Sequence, residues 1–332
     1  MNGRDRLSKA LKGEATDRPA VICANSTATN EQAEALGVKW PLFHQRSEEM
    51  ARMAFGACEI FGFDAVRLPF CQTMEAEALG CEVSYRDFIP GNDVPLYTLG
   101  TIPQFPDDFL KRGRIPDLLD AVRLLKRIAD GRAMVLGGVV GPLTIARALL
   151  DSPPLLKASF RSPEKIVPFL EVGKRACIQL ALALIEAGAE AIVIEDMTAS
   201  PDILHPRTYH NMVAEYERQV IKALPCQVIL HICGNVALIA EKMAWTEAHG
   251  LSIDPKARPR HMREKVGERM PLIGGIDTTF LSLSNPNEIK IKCLEALKDG
   301  INILAPGCSI PANSPSKNLR AMVHAAEELQ TH

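Results

Sequence analysis

His231 and Cys233, in Gln227-Val-Ile-Leu-His-Ile-Cys-Gly234, and Cys308, in Leu304-Ala-Pro-Gly-Cys308, are the residues of this chain whose types and spacing could do chemistry together. Zn2+ is bound by Cys sulfur and His nitrogen, and three protein ligands leave a fourth position for a substrate. Residues i and i+2 of a strand point to the same side. His231 and Cys233 can therefore address one ion if extended backbone persists that far. Cys308 lies 75 residues beyond Cys233 and must be delivered by the fold. Alone, His-x-Cys is a weak pattern. The chain has nine cysteines, and free cysteine is commonly a small buried hydrophobe. Cys23, Cys58, Cys71, Cys81, Cys177, Cys226 and Cys293 are read as core or inert thiols. Two thiolates and a neutral imidazole cancel the charge of Zn2+ and leave a mild Lewis acid, less suited to hydrolysis. Such a site can still bind an added thiol as thiolate by lowering its pKa toward neutral. Alkyl transfer to sulfur is the chemistry that suits it.

The elements that must position these residues follow from short apolar runs bounded by turn residues. Eight recur: 19–23, 65–68, 133–137, 191–194, 227–230, 250–253, 271–274 and 301–304. Continuous apolar runs, rather than alternation, suit strands buried on both faces of a parallel sheet. Amphipathic helical patterns cover 5–11, 48–61, 115–128, 163–187, 206–223, 236–248 and 285–299, with a closing helix over 316–330. Gly62, Gly188, Gly250 and Gly300 stand where a left-handed helix C-terminus is expected. Pro206 and Pro286 fit helix starts. Eight βα units predict a single (β/α)8 barrel domain over 1–332. An irregular insertion near 71–104 lies over one end and could serve as a lid. The competing open doubly wound sheet would usually carry a glycine-rich phosphate loop, and no G-x-G-x-x-G or P-loop is present.

Barrel active sites lie at the C-terminal ends of the strands. The residues at the predicted strand exits are Asn25, Arg67, Glu195, Asp196, His231, Cys233, Asp254, Asp277 and Cys308. All three candidate ligands are among them, whereas a randomly buried cysteine has no reason to be. Asp254 could be a transient fourth ligand or accept the His231 ring N–H; a turn or helix cap is the competing reading. Asn25, Arg67, Glu195, Asp196 and Asp277 are candidate substrate-binding residues, with structural ion pairing as the alternative for the charged ones.

Bulk properties narrow the function classes. With 332 residues, 47% of them hydrophobic, the chain can bury a large core. A net charge of −2 and no long basic run argue against nucleic acid as a partner. The polar start, Met1-Asn-Gly-Arg-Asp-Arg6, has no apolar signal region, and no window is apolar enough for a membrane span. An odd number of cysteines without close pairing fits a reducing cytoplasm.

Together, His231-x-Cys233 and the distant Ala-Pro-Gly-Cys308 resemble the zinc motif of the methylcobamide:coenzyme M methyltransferases, in the uroporphyrinogen decarboxylase superfamily. The resemblance spans essentially the whole chain. It includes Arg6-Leu-x-x-Ala-Leu-Lys-Gly-Glu14, Ala65-Val-Arg-Leu-Pro69, Lys111-Arg-Gly-Arg-Ile-Pro116 and Ala199-Ser-Pro-Asp202. It implies a (β/α)8 barrel with zinc held by His231, Cys233 and Cys308. The methyl group would pass from a methylated corrinoid protein to a zinc-bound thiol such as coenzyme M, with tetrahydrofolate possible as acceptor. It also implies an apolar rim for the corrinoid partner. The opposite half-reaction, from a methoxylated or methylamine-type donor onto a corrinoid protein, is the alternative, and a non-catalytic barrel with structural zinc is a third. Porphyrinogen decarboxylation is disfavoured, because the segment after the first strand, Ile22-Cys-Ala-Asn-Ser-Thr-Ala-Thr-Asn30, has no arginine to clamp carboxylates. The chain departs from the methyltransferase pattern at Gly137-Gly-Val-Val-Gly-Pro142, where an acid is expected before Gly-Pro. Pro255 likewise occupies the place of a second acid.

Overall fold

Each of the eight apolar runs forms a strand in the computed structural model, which describes residues 1–329 apart from 87 and 93. The strands are β1 (Ala20–Val21), β2 (Ala65–Leu68), β3 (Met134–Val140), β4 (Ala191–Glu195), β5 (Gln227–Ile232), β6 (Gly250–Ile253), β7 (Leu272–Ile276) and β8 (Ile303–Pro306). They lie in one sheet in the order β1-β8-β7-β6-β5-β4-β3-β2, every pair parallel, with helices between them. This is the (β/α)8 barrel.

Period-two alternation builds the interior. Ala20 and Ile22, Met134 and Leu136, Ala191 and Val193, Ile229, Ile273, and Ile303 with Ala305 form one buried cluster inside the barrel. Leu7, Ala10 and Leu11, on or just after helix Gly3–Ala10, join this cluster and plug the N-terminal end. The outward strand residues meet the helix layer in a second, larger core.

The β1–β2 seam is closed by one residue. Asp64 donates its backbone N–H to the Val21 carbonyl at 2.8 Å, and its carboxylate accepts the Val21 N–H at 2.8 Å. The same buried carboxylate binds Arg6 at 2.6 Å and Arg18 at 2.9 Å. Arg6 also grips Asp17 at 2.7 Å, which holds that carboxyl well below its ordinary range.

The helices differ from expectation mainly where proline or a special turn intervenes. The pattern over 163–187 splits into a 3-10 turn, Pro163–Lys165, and helix Val167–Ala187, with Pro168 in its first turn where a missing N–H costs nothing. The pattern over 206–223 is helical throughout but carries a π turn at Tyr209–Val213. The pattern over 236–248 shortens to Val236–Leu238 and Ala240–Trp245. Gly62, Gly188 and Gly300 have positive φ as expected; Gly250 does not and opens β6 instead. The closing helix is Ser316–Glu327; position 330, to which it was expected to extend, and the end of the expected domain at 332 lie outside the described residues.

The 71–104 insertion contains a short helix, Met74–Ala78, and isolated bridges Ser84–Gly91 and Tyr97–Leu150; positions 87 and 93 within it lie outside the described residues. It is tied down by Arg114, which binds Glu77 at 2.7 Å, Thr73 Oγ1 at 2.6 Å and the His44 carbonyl at 2.9 Å. No helix among the described residues is long and apolar enough to cross a membrane.

Candidate metal centre

Parallel register sets the first ligand. Along one row across the sheet, Val140 stands beside Glu195, Glu195 beside His231, His231 beside Ser252, and Ser252 beside Ile273. The inner stripe of β5 runs from Ile229 to His231 and on to Cys233, one position past the strand end. The apolar interior thus gives way to donors at the C-terminal mouth. Gly234 follows with φ +81°, and a Cβ there would stand 2.5 Å from Ser200 Oγ and Asp202 Oδ2, so only glycine turns the chain at this point. Cys308 arrives from β8 through Gly307, whose N–H bonds the Ile276 carbonyl at 2.8 Å and whose bare Cα lets Pro255 approach.

The result is a cluster of one nitrogen and two sulfurs: the ligand atoms of His231, Cys233 and Cys308 all lie within 4.8 Å of one another. Among the described residues this is the only His/Cys/Asp/Glu group so arranged. His231 is fully buried; its Nδ1 meets Ser252 Oγ at 3.0 Å, and its Nε2 has no partner. Cys308 is held far below the ordinary thiol range, first by the hydrogen bond it accepts from Cys233 and then by neighbouring His231. The same bond, with burial, pushes the Cys233 thiol up. A soft or borderline dication fits this set: it would be met by two sulfurs and by the bare Nε2, which has no other partner.

The other mouth residues divide into groups. Asn25, Arg67 and Glu195 come together: Arg67 Nη2 pairs with Glu195 Oε2 at 2.9 Å, Asn25 Nδ2 donates to Glu195 Oε1, and Gln72 Nε2 donates to Oε2 at 3.2 Å. Asn25 Oδ1 and Arg67 Nε remain unpartnered and buried beside this network. Asp196 turns away from the mouth, accepting hydrogen bonds from Leu143 N, Thr144 N and Thr144 Oγ1 at the start of helix Pro142–Leu149. Asp277 is exposed and caps helix Thr278–Leu283 through Phe280 N at 2.8 Å. Asp254 accepts from Lys256 N at 2.9 Å and from Gly234 N at 3.3 Å, so it braces the turn after Cys233. The partner of His231 Nδ1 is Ser252 instead.

Ser252, Gln72 and Gly138 are the contributors that sequence reasoning missed. Ser252 was visible as a hydroxyl in an apolar strand. Gln72 fell in the irregular insertion. Gly138 lies under Arg67, and a Cβ at 138 would fall inside the guanidinium. Gly138→Ala is therefore expected to displace Arg67 and cost about 1–3 kcal/mol of stability, as overpacking does, measurable by urea unfolding.

Glu75 lies behind β3, fully buried, with Oε1 accepting Val140 N–H at 2.7 Å. Burial raises its pKa from 4.5 to about 7. A carboxyl raised in the folded state stabilises fully below its unfolded value, and that contribution is lost as pH climbs through about 7. Glu75→Gln keeps the acceptor without the charge. Its stability advantage over the parent should be near zero at pH 4 and grow to about 3 kcal/mol at pH 8, read from unfolding curves at several pH values.

Around the mouth, Ile203, Leu238 and Leu283 stand exposed on segments following β4, β5 and β7.

Comparison with known proteins gives the family of the chain. Residues 2–329 match the family model described as uroporphyrinogen decarboxylase (URO-D). A methylcobamide:CoM methyltransferase of Methanosarcina barkeri is 34% identical over 98% of this chain and 97% of its own length. A methylcobamide:CoM methyltransferase of Methanosarcina acetivorans is 30% identical over 98% and 97%. A solved structure titled a methyltransferase from Methanosarcina mazei superposes with a TM-score of 0.95 at 33% identity, covering 100% of both chains.

Proposed function

This chain belongs to the uroporphyrinogen decarboxylase family, among its methyl-transferring enzymes, and on that premise we propose that it moves a methyl group from a methylated corrinoid to a zinc-activated thiol. The observation that carries the reading is the meeting of a His231 ring nitrogen with Cys233 Sγ and Cys308 Sγ at the barrel mouth, with Nε2 buried and unpartnered. In this reading residues 1–332 act as one barrel domain.

His231, Cys233 and Cys308 would hold the zinc. Bound there, zinc supplies a mild Lewis acidity that brings the pKa of an added thiol toward neutral. The chain's own residues do the rest. Ser252 fixes the imidazole, and Asp254 braces the Cys233–Gly234 turn. The Asn25–Arg67–Glu195–Gln72 network forms a largely buried polar wall at the barrel mouth. In the transfer, a sulfur–carbon bond forms while the cobalt–carbon bond breaks, with its electron pair staying on cobalt. No dedicated base is needed once the thiol has ionised. Exposed Ile203, Leu238 and Leu283 suit the approach of a protein-borne corrinoid. Porphyrinogen decarboxylation fits poorly: Arg67, the cation of the wall, is already neutralised by Glu195 and could not clamp several carboxylates.

The test is methylcobalamin demethylation, followed by the cobalamin spectrum, with the zinc-loaded protein and coenzyme M, homocysteine or tetrahydrofolate. Turnover with a thiol, lost on chelation and regained with zinc, is the expected result. Turnover with tetrahydrofolate alone would overturn the thiol mechanism while keeping the corrinoid.

A further inference from the structure

Ser252 occupies a position that the barrel interior would otherwise fill with an apolar side chain. Its strand neighbours Leu251 and Ile253 are buried aliphatics, and its ladder neighbour Ile273 belongs to the inner core. A hydroxyl taken fully out of water costs stability unless it is hydrogen-bonded. Ser252 is 0% exposed, and its hydroxyl meets His231 Nδ1 at 3.0 Å. We infer that Ser252 is a positioning residue for the metal centre: by accepting the Nδ1–H of His231, it fixes the ring's tautomer and plane so that Nε2 faces the two thiols.

The assignment rests on the metal reading above and deepens it. The ring has two ends. One is held by Ser252 across the β5–β6 ladder; the other, Nε2, is buried and unpartnered, on a ring whose nitrogen lies within 4.8 Å of the Cys233 and Cys308 sulfurs. A histidine that offers Nε2 as a lone pair must carry its proton on Nδ1, and an acceptor there selects that tautomer. The choice of acceptor also matters electrically. A carboxylate in this place would add negative charge beside two sulfurs that already balance a dication. A hydroxyl orients the ring without adding charge, which preserves the near-neutral character the proposed thiol chemistry needs. Asp254, the nearby acid, is occupied by backbone N–H groups of Gly234 and Lys256.

The experiment compares the parent protein with Ser252→Ala and Ser252→Thr. Zinc affinity is measured by competition with a chromogenic chelator, and melting temperature is measured with and without zinc. Loss of an outer partner of a ligating histidine typically weakens metal binding by about 10–100-fold. Ser252→Ala should show that loss, with a reduced zinc-induced rise in melting temperature beyond the modest metal-free drop expected when the buried imidazole N–H loses its acceptor. Ser252→Thr, which keeps the oxygen, should bind zinc like the parent. Equal zinc affinity in parent and Ser252→Ala would overturn the positioning role alone. A parent protein that takes up no zinc would overturn this role and the metal reading together. Should Ser252→Ala fail to fold, the threonine variant decides: weak zinc binding by a folded Ser252→Thr would contradict the assignment, and parent-like binding would support it.

Discussion

Cys308→Ser is expected to give a folded barrel that holds little zinc and transfers methyl groups to thiols more than about 100-fold more slowly than the parent. The magnitude follows from comparison. Removing a partner that merely orients a ligand costs about 10–100-fold, so removing a ligand itself should exceed that range. Cys308 is only half-buried and lies beyond the end of β8, so replacing sulfur with oxygen should change stability by no more than about 1 kcal/mol. The loss would therefore report on the site and not on the fold. Cys23→Ala is the matched control. Its sulfur touches the Cys308 carbonyl at 3.9 Å but stands outside the donor set, and burial holds that thiol up at about 12. This variant should keep its zinc. Metal analysis of the purified variants, beside circular dichroism, checks both expectations.

The second large effect lies at the opposite end of the barrel. Asp64→Ala should cost about 3–5 kcal/mol of stability, because it leaves the Arg18 guanidinium without a carboxylate, takes one of two carboxylates from Arg6, which keeps Asp17, and removes the acceptor of the Val21 N–H. Breaking a buried ion pair by deleting one partner leaves an uncompensated charge, and that penalty dominates. The seam is vulnerable because β1 pairs with β8 and β2 with β3, while Asp64 supplies the bonds between Val21 and the β2 side. Urea unfolding should show a lower midpoint. The folded fraction should still bind zinc normally, since conservation of geometry at the N-terminal end serves stability and the chemistry sits at the other.

Much of this was legible in the residue order, for a physical reason. Strands buried on both faces must be continuous apolar runs, so all eight could be counted, and β2 and β6 begin and end where the runs do. The period of two placed His231 and Cys233 on one side, and the barrel rule placed Cys308 at the same mouth. What lay hidden depended on register or on local caps. Ser252 faces His231 only because β5 and β6 pair with that particular offset, which no local pattern encodes. Asp196 and Asp277 sit at strand exits like true site residues, yet their carboxylates are taken up by helix N-termini. Helices Pro142–Leu149 and Thr278–Leu283 are short and follow directly on strand exits, with Pro142 and the Asp277 cap marking their starts. Gly138 matters for the side chain it leaves room for, Arg67, on a different strand.

The most direct measurement is a zinc titration of the metal-free protein, following methylcobalamin demethylation in the presence of a thiol. Activity should be absent at the start, rise in proportion to added zinc and level off at one zinc per chain; full activity without metal, or bound zinc that leaves the rate unchanged, would contradict the account.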